Sequence, residues 1–245
     1  MAGSVLGGSS VKIYKLLNEP PKKSRSFDFR HFINPWNVTS NFMTTLNDIF
    51  PSDFKAILDS LDYQENGGLV ISSLNYLNDD LKVLFTLSYG DNETPEQLWQ
   101  LDIVGIEKER FIRNWATFPE IYSEHFLLYE YIDNYIELYF NGSTSNPEKL
   151  LNDLYNSHIS NYSNDLEFGL GINAPNGMLK LCTNDNGLFA RGPKRILIKY
   201  AECLTANGIK TNFVGEIEND KNDLKLLVFG DSYFIAKDFK FSILK

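Results

Sequence analysis

Two neighbouring segments alternate apolar and polar side chains, and this pattern constrains the fold more than any other feature of the sequence. They are residues 81–89 (LKVLFTLSY) and 98–106 (LWQLDIVGI), and the second places Trp99, Leu101 and Ile103 on one side. Such alternation predicts β-strands with one buried face. The intervening residues GDNETPEQ are typical of a turn, so the two strands should pair antiparallel.

Helical patterns precede these strands. We expect one helix from Thr39 or Ser40 to Ile49, because either hydroxyl can cap it. A second helix should run from Pro51 to Asn66, since its apolar residues recur at the spacing of one helix face. Two glycines follow Asn66 and should turn the chain into the strands.

The rest of the chain mixes strand and helix patterns. The overall prediction is an α+β fold, with antiparallel sheets packed against helices in mixed order and a C-terminal β-hairpin turning at Gly230-Asp231. Residues 164–192 are ambiguous and read as a loop with one short helix. The expected elements are strands over 69–74, 110–115, 136–140, 210–217, 224–229 and 232–241, and helices from Pro147 onward and over 123–133, 178–182 and 193–206.

Three parts are expected along the chain. Residues 1–35 should form an irregular N-terminal segment, and residues 36–117 should hold the first helices and the antiparallel meander. Residues 118–245 should form an α/β C-terminal half, because Phe118-Pro119 breaks the pattern. One continuous domain over both of these parts is the alternative.

Composition narrows the classes of function. A formal net charge of −9 disfavours nucleic acid and anionic membrane as partners. No segment approaches the about 20 apolar residues of a membrane span. The two cysteines and three histidines lack metal-ligand spacing, and no nucleophile or nucleotide-binding motif is present. The sequence therefore favours a bacterial cytoplasmic protein that is not an enzyme and needs no cofactor or metal, although enzymatic activity stays open.

The negative charge is concentrated in one stretch, residues 118–167. This stretch has nine acidic residues, the single base Lys149 and seven tyrosines, so it holds −8 of the −9 formal charge. A basic protein would relieve the repulsion, and tyrosine offers rigid contact area for an interface. Solvated acids and core tyrosines are the alternative interpretation. The residues expected to bind a partner are Glu120, Glu124, Tyr129, Glu130, Tyr131, Asp133 and Asp153.

These features favour a protein-binding protein, in the form of an immunity or antitoxin protein that neutralises a basic toxin. Residues Phe50 to Gly68 (FPSDFKAILDSLDYQENGG) resemble the short stretch near the start of SMI1/KNR4-type immunity domains, with Phe50 where that family usually has Leu. The resemblance implies an α+β fold and a protein toxin as the partner.

A basic cluster at the start of the helix over 193–206 supports a second hypothesis. Free N–H groups at a helix start attract anions, and Arg191, Gly192, Lys194 and Arg195 lie there. The protein would then be an enzyme or ligand-binding domain for a phosphate-bearing substrate. In a third hypothesis the cluster meets the acidic stretch of the same chain, or of a second copy in a homodimer.

Overall fold

The computed structural model describes residues 44–89, 96–113, 115–219, 221 and 223–244. They form two compact units. Unit 1 holds the described residues of 45–123 and 225–244, and unit 2 holds those of 124–224. Among the described helices, none has the length and apolar character needed to cross a membrane.

The described residues form eleven β-strands and six α-helices, which confirms the predicted α+β fold with its C-terminal hairpin. Short 3₁₀ turns span Asn47–Ile49 and Phe126–Leu128. The strands are β1 Thr44–Thr45, β2 Gly68–Leu77, β3 Asp80–Ser88, β4 Gln97–Arg110, β5 Trp115–Ala116, β6 Pro119–Glu124, β7 Tyr135–Asn141, β8 Asn186–Pro193, β9 Lys210–Ile217, β10 Lys225–Phe229 and β11 Ser232–Ile243. The helices are α1 Ser52–Leu58, α2 Leu61–Asn66, α3 Tyr129–Ile132, α4 Pro147–Tyr162, α5 Met178–Cys182 and α6 Lys194–Ala206.

Unit 1 is built on one curled sheet with the strand order β1-β6-β10-β11-β4-β3-β2-β5. The predicted meander is confirmed, because β3 pairs antiparallel with both β2 and β4. The predicted turn is also present, with Gly230 at φ +56° between β10 and β11. The sheet curls so far that a Cβ on Gly230 would come within 3.2 Å of the Ala116 side chain in β5.

The core of unit 1 is aromatic and lies between this sheet and α1. Phe54 of α1 is fully buried, and its ring centre lies 4.9 Å from Trp99 and 5.2 Å from Phe241. The alternation in β4 buries Trp99, Leu101 and Ile103 together, as the sequence predicts.

The helix expected over 51–66 is two helices in the structure. Ser60 adopts an extended conformation with ψ 145°, and its Oγ accepts a hydrogen bond from the Tyr63 amide, which starts α2. A serine cap competes with continued helix, and here it redirects the chain so that Tyr63 is buried.

Three further expectations are wrong in part. The helix expected to end at Ile49 is a strand and a 3₁₀ turn from Thr44 onward, while its residues 39–43 lie outside the described residues. The strand expected over 110–115 is the end of β4 and the start of β5. The helix expected over 123–133 is the end of β6, a 3₁₀ turn and α3. Sheet pairing explains the last case, because β6 pairs with β10 through Tyr122.

Unit 2 packs α6 on a three-stranded antiparallel sheet with the order β8-β7-β9, and α4 packs against α6. Strand β8 lies in the segment that the sequence left ambiguous, and its pairing with β7 holds it extended. The apolar residues of α6 recur at helical spacing, which predicts one buried stripe, and the structure confirms it. Gly208 at φ +78° follows the last turn, where Asn207-Gly208 predicts a left-handed end to the helix. The buried residues of the stripe are Ile196, Leu197, Tyr200, Ala201 and Leu204.

Candidate functional site

The first turn of α6 receives a carboxylate from the same unit. Pro193 precedes the helix and has no side chain that can cap it. Instead, the Arg195 amide donates a hydrogen bond to Asp133 Oδ2 at 2.7 Å. A carboxylate at this position satisfies a free N–H group and interacts favourably with the helix dipole.

The Arg195 side chain lies among acidic and aromatic groups. Its Nη2 is 3.3 Å from Glu124 Oε1, and its Nε is 4.0 Å from Asp133 Oδ1. The guanidinium carbon also lies 5.1 Å from the centre of the Tyr129 ring. Tyr129 is buried, and this burial raises the pKa of its hydroxyl. Glu124, Tyr129 and Asp133 therefore bind a cation of their own chain.

Lys194 is paired beside this group. Its Nζ lies 2.8 Å and 3.0 Å from the two carboxylate oxygens of Glu216 in β9. The Asn134 amide donates to the same carboxylate at 2.7 Å. Both hydrogen bonds lower the pKa of Glu216, and the one from Lys194 has the larger effect.

Arg191 and Gly192 lie in β8, before the helix begins. Arg191 Nε contacts Glu137 Oε1 at 2.7 Å across the strand pair, where the two residues are direct partners. The Tyr139 hydroxyl donates to the other oxygen of Glu137 at 2.9 Å, and this hydrogen bond raises the pKa of Tyr139. Arg191, Lys194 and Arg195 thus each face a carboxylate of unit 2. For Arg191 and Arg195 this carboxylate belongs to the acidic stretch 118–167, as the third hypothesis expects within one chain, whereas Glu216 lies outside that stretch.

The residues predicted to bind a partner lie in several places. Glu124, Tyr129 and Asp133 surround Arg195, as described above, and Glu130 and Tyr131 are half-buried in α3. Asp153 on α4 binds Lys149 and Asn207, whose hydrogen bonds lower its pKa. Glu120 lies in β6 of unit 1 and accepts a hydrogen bond from Tyr122 at 2.6 Å.

A different surface of unit 2 carries exposed apolar side chains. A groove of about 490 Å³ lies between α4, α5 and the loop after α4, and we call it the α4–α5 groove. Tyr155 on α4 is 46% exposed, and its ring meets the Phe168 ring edge-on at 5.3 Å. Its lining residues are Glu148, Leu151, Asn152, Tyr155, Phe168, Met178 and Leu179.

A buried histidine holds the wall of the groove in place. The Leu166 carbonyl lies 2.8 Å from His158 Nε2, and the Tyr200 hydroxyl lies 2.9 Å from Nδ1. Burial lowers the pKa of His158, and the Leu166 hydrogen bond opposes this only in part. Neutral His158 therefore connects α4, the Phe168 loop and α6.

A second buried histidine starts the 3₁₀ turn after β6. His125 Nδ1 accepts a hydrogen bond from the Leu127 amide at 3.2 Å and thereby caps this turn. Burial lowers its pKa to about 3, so the imidazole is neutral in the folded protein.

Sequence reasoning did not identify the α4–α5 groove, although a signal for it was present. The pattern of α4 groups Leu150, Leu151, Leu154 and Tyr155 as one apolar face. In the structure Leu150 and Leu154 are buried, whereas Leu151 is half-buried and Tyr155 is exposed. The apolar face of α4 is therefore wider than the core that it covers.

Neither a family model, nor a curated protein, nor a solved structure matches this chain. The resemblance of residues 50–68 to immunity domains consequently assigns no family. In the part of the chain that the structure describes, no three His, Cys, Asp or Glu side chains are grouped so that they could hold a metal ion.

Proposed function

We propose that this protein binds a basic protein through the α4–α5 groove, as an immunity or antitoxin protein binds its toxin. The observation that carries the proposal is the pair of exposed Tyr155 and half-buried Phe168, whose rings meet edge-on in the groove outside the core. Contiguous exposed apolar surface of this kind marks interaction sites in folded proteins. Aromatic residues dominate the binding energy of such sites.

Charge around the groove selects the partner. Glu148 lines the groove and is exposed, and exposed Glu167 directly precedes Phe168 in the chain. Asp153, which lies on α4 with Glu148, forms an ion pair with the nearby Lys149. A partner that places an apolar side chain between basic residues is complementary to this surface, and the chain's net charge of −9 speeds its encounter.

The start of α6 supports this proposal indirectly. Each of its cations already faces a carboxylate, so an anionic substrate would have to displace Asp133 from the Arg195 amide and Glu216 from Lys194. That competition disfavours the anion-binding hypothesis. It does not affect the α4–α5 groove, where apolar side chains face solvent.

The first partner to test is the product of the adjacent reading frame, because toxins and their inhibitors are often encoded side by side. Isothermal titration calorimetry should show binding that weakens as salt is raised. Tyr155→Ala and Phe168→Ala should each weaken binding by about 2 kcal/mol, or about 30-fold in Kd. Glu148→Lys should mainly slow association.

Tyr76→Ala is the matched control, because Tyr76 is a tyrosine of unit 1 with similar exposure, 41%. It should bind like the wild type. Binding that survives both groove variants, or that does not respond to salt, would contradict the proposal. Growth rescue by the wild type in cells expressing the partner, and not by Tyr155→Ala, would connect binding to neutralisation.

A further inference from the structure

Strand β9 is an edge of the unit 2 sheet and is open to solvent. Among the described strands, β9 pairs only with β7, so its other side has no neighbouring strand. The opposite edge of the sheet, β8, is covered by the segment around residues 171–173. The Arg191 amide of β8 donates to the Gly171 carbonyl, and the Phe189 carbonyl of β8 accepts from the Asn173 amide. The sheet can therefore be extended at β9 and not at β8.

Strand β9 carries exposed apolar side chains in its middle and at its end. Phe213 is 40% exposed and Val214 46%, and Ile217, the last residue of the strand, is 70% exposed. An exposed apolar edge strand is a template for pairing with another strand, and proteins normally shield such edges. Here the shielding is limited to Lys210 at one end and to the bulge at Gly215, where φ is +65°.

The charges of this segment are complementary to those of a second copy. Lys210 stands at the start of the segment, and Glu216 and Glu218 stand at its end. Antiparallel pairing about a two-fold axis places the start of each strand beside the end of the other, so Lys210 of each copy approaches an acidic residue of its partner. Glu216 already binds Lys194, which leaves Glu218 as the partner of Lys210.

We propose that β9 pairs antiparallel with β9 of a second copy of this chain, which joins two three-stranded sheets into one sheet of six. The interface is isologous, so the same apolar and charged residues contribute from both sides. The α4–α5 groove does not take part in this contact, and the dimer is independent of the function proposed above.

Sedimentation velocity of the full chain, from micromolar to sub-millimolar concentration, tests the dimer. The wild type should shift from the monomer towards twice its mass. Ile217→Lys should remain monomeric over the same range. Leu61→Lys is the matched control, because Leu61 is an apolar residue of unit 1 with similar exposure, 74%, and it should dimerise like the wild type.

A charge reversal distinguishes this contact from a general loss of apolar surface. Lys210→Glu alone and Glu218→Lys alone each place like charges opposite one another and should raise the dimer dissociation constant about tenfold. The double variant restores unlike pairs and should dimerise like the wild type. A monomeric wild type, a dimer that persists in Ile217→Lys, or a double variant as weak as the single ones would overturn the proposal.

Discussion

The start of α6 and the α4–α5 groove lie in the same unit, but they differ in how far the fold satisfies their side chains. The charged groups at the start of α6 are paired within the chain, whereas apolar side chains of the groove stay exposed. At the start of α6, three cations and a free amide meet carboxylates of their own chain. In the groove, Tyr155 and Leu179 remain exposed. A cluster of charge in a sequence is therefore a weak indication of a ligand, since the fold can neutralise it. Apolar surface that the core does not cover is the stronger indication.

The largest expected effect on stability separates two adjacent residues of α4, one in the core and one in the groove. Leu154 is fully buried and Tyr155 is 46% exposed. Leu154→Ala should lower the free energy of unfolding by about 3 kcal/mol, because it leaves a cavity in the core. Tyr155→Ala should change it by less than about 0.5 kcal/mol. Urea denaturation measures both. Equal losses would mean that Tyr155 belongs to the core and that the groove is not a free surface.

The next largest expected effect is the loss of stability when the buried histidines are protonated. One histidine lies beside each region: His125 follows Glu124, which pairs with Arg195 of α6, and His158 bonds the loop that carries Phe168 of the groove. Burial holds the pKa of both imidazoles below 6.5 in the folded chain. As pH falls below 6.5, the unfolded chain takes up these protons more readily than the folded chain. The free energy of unfolding should therefore fall by about 1 kcal/mol per pH unit from His125, whose pKa in the folded chain is about 3, and by a further amount from His158.

Urea denaturation between about pH 6 and pH 4.5, above the usual carboxyl range, measures this slope. His125→Asn keeps an acceptor for the Leu127 amide without the titrating ring, and should lower the slope by about 1 kcal/mol per pH unit. His158→Gln should lower the slope further. A wild-type stability that is constant over this range would show that neither imidazole is held neutral by the fold.

The smallest expected effect on stability is the difference between removing one or the other of the two carboxylates that face Arg195. The Asp133 side chain is 11% exposed and caps α6, whereas the Glu124 side chain is 45% exposed and pairs with the guanidinium. Asp133→Ala should lower the free energy of unfolding by about 1 kcal/mol. Glu124→Ala should lower it by less than about 0.5 kcal/mol, as an exposed ion pair does. Chemical denaturation of both variants measures the difference.

Inorganic phosphate serves as a probe of the same site. It should leave the Tm of the wild type unchanged, because Asp133 occupies the α6 amide. It should raise the Tm of Asp133→Ala, where that amide and Arg195 can hold an anion. A wild type that phosphate stabilises would restore the anion-binding hypothesis.

Local patterns predicted the elements that depend mainly on their own residues. Strands β3 and β4 follow the alternation that a single buried face requires, and α4 begins at Pro147 after the cap Asn146, whose Oδ1 accepts from the Lys149 amide. Helix α6 likewise follows its apolar stripe. These signals are local in sequence, so they are readable without the fold.

Elements that depend on distant partners were not readable. Strand β8 contains Gly187, Gly192 and Pro193, which are poor strand formers, and it is extended because β7 pairs along it. The sequence likewise placed β10 and β11 in the C-terminal half, but they pair with β6 and β4 in unit 1. Pairing over such separations reflects the tertiary structure and leaves no local pattern.

The sequence alone determined the fold class, the unequal distribution of charge and the apolar faces of the helices, because composition and periodicity are properties of the chain itself. The tertiary structure decided which charges face one another and which apolar side chains stay exposed. Glu137 meets Arg191 only because β7 and β8 pair in that register. Tyr155 faces solvent only because the core is filled by Leu150, Leu154 and His158 of the same helix.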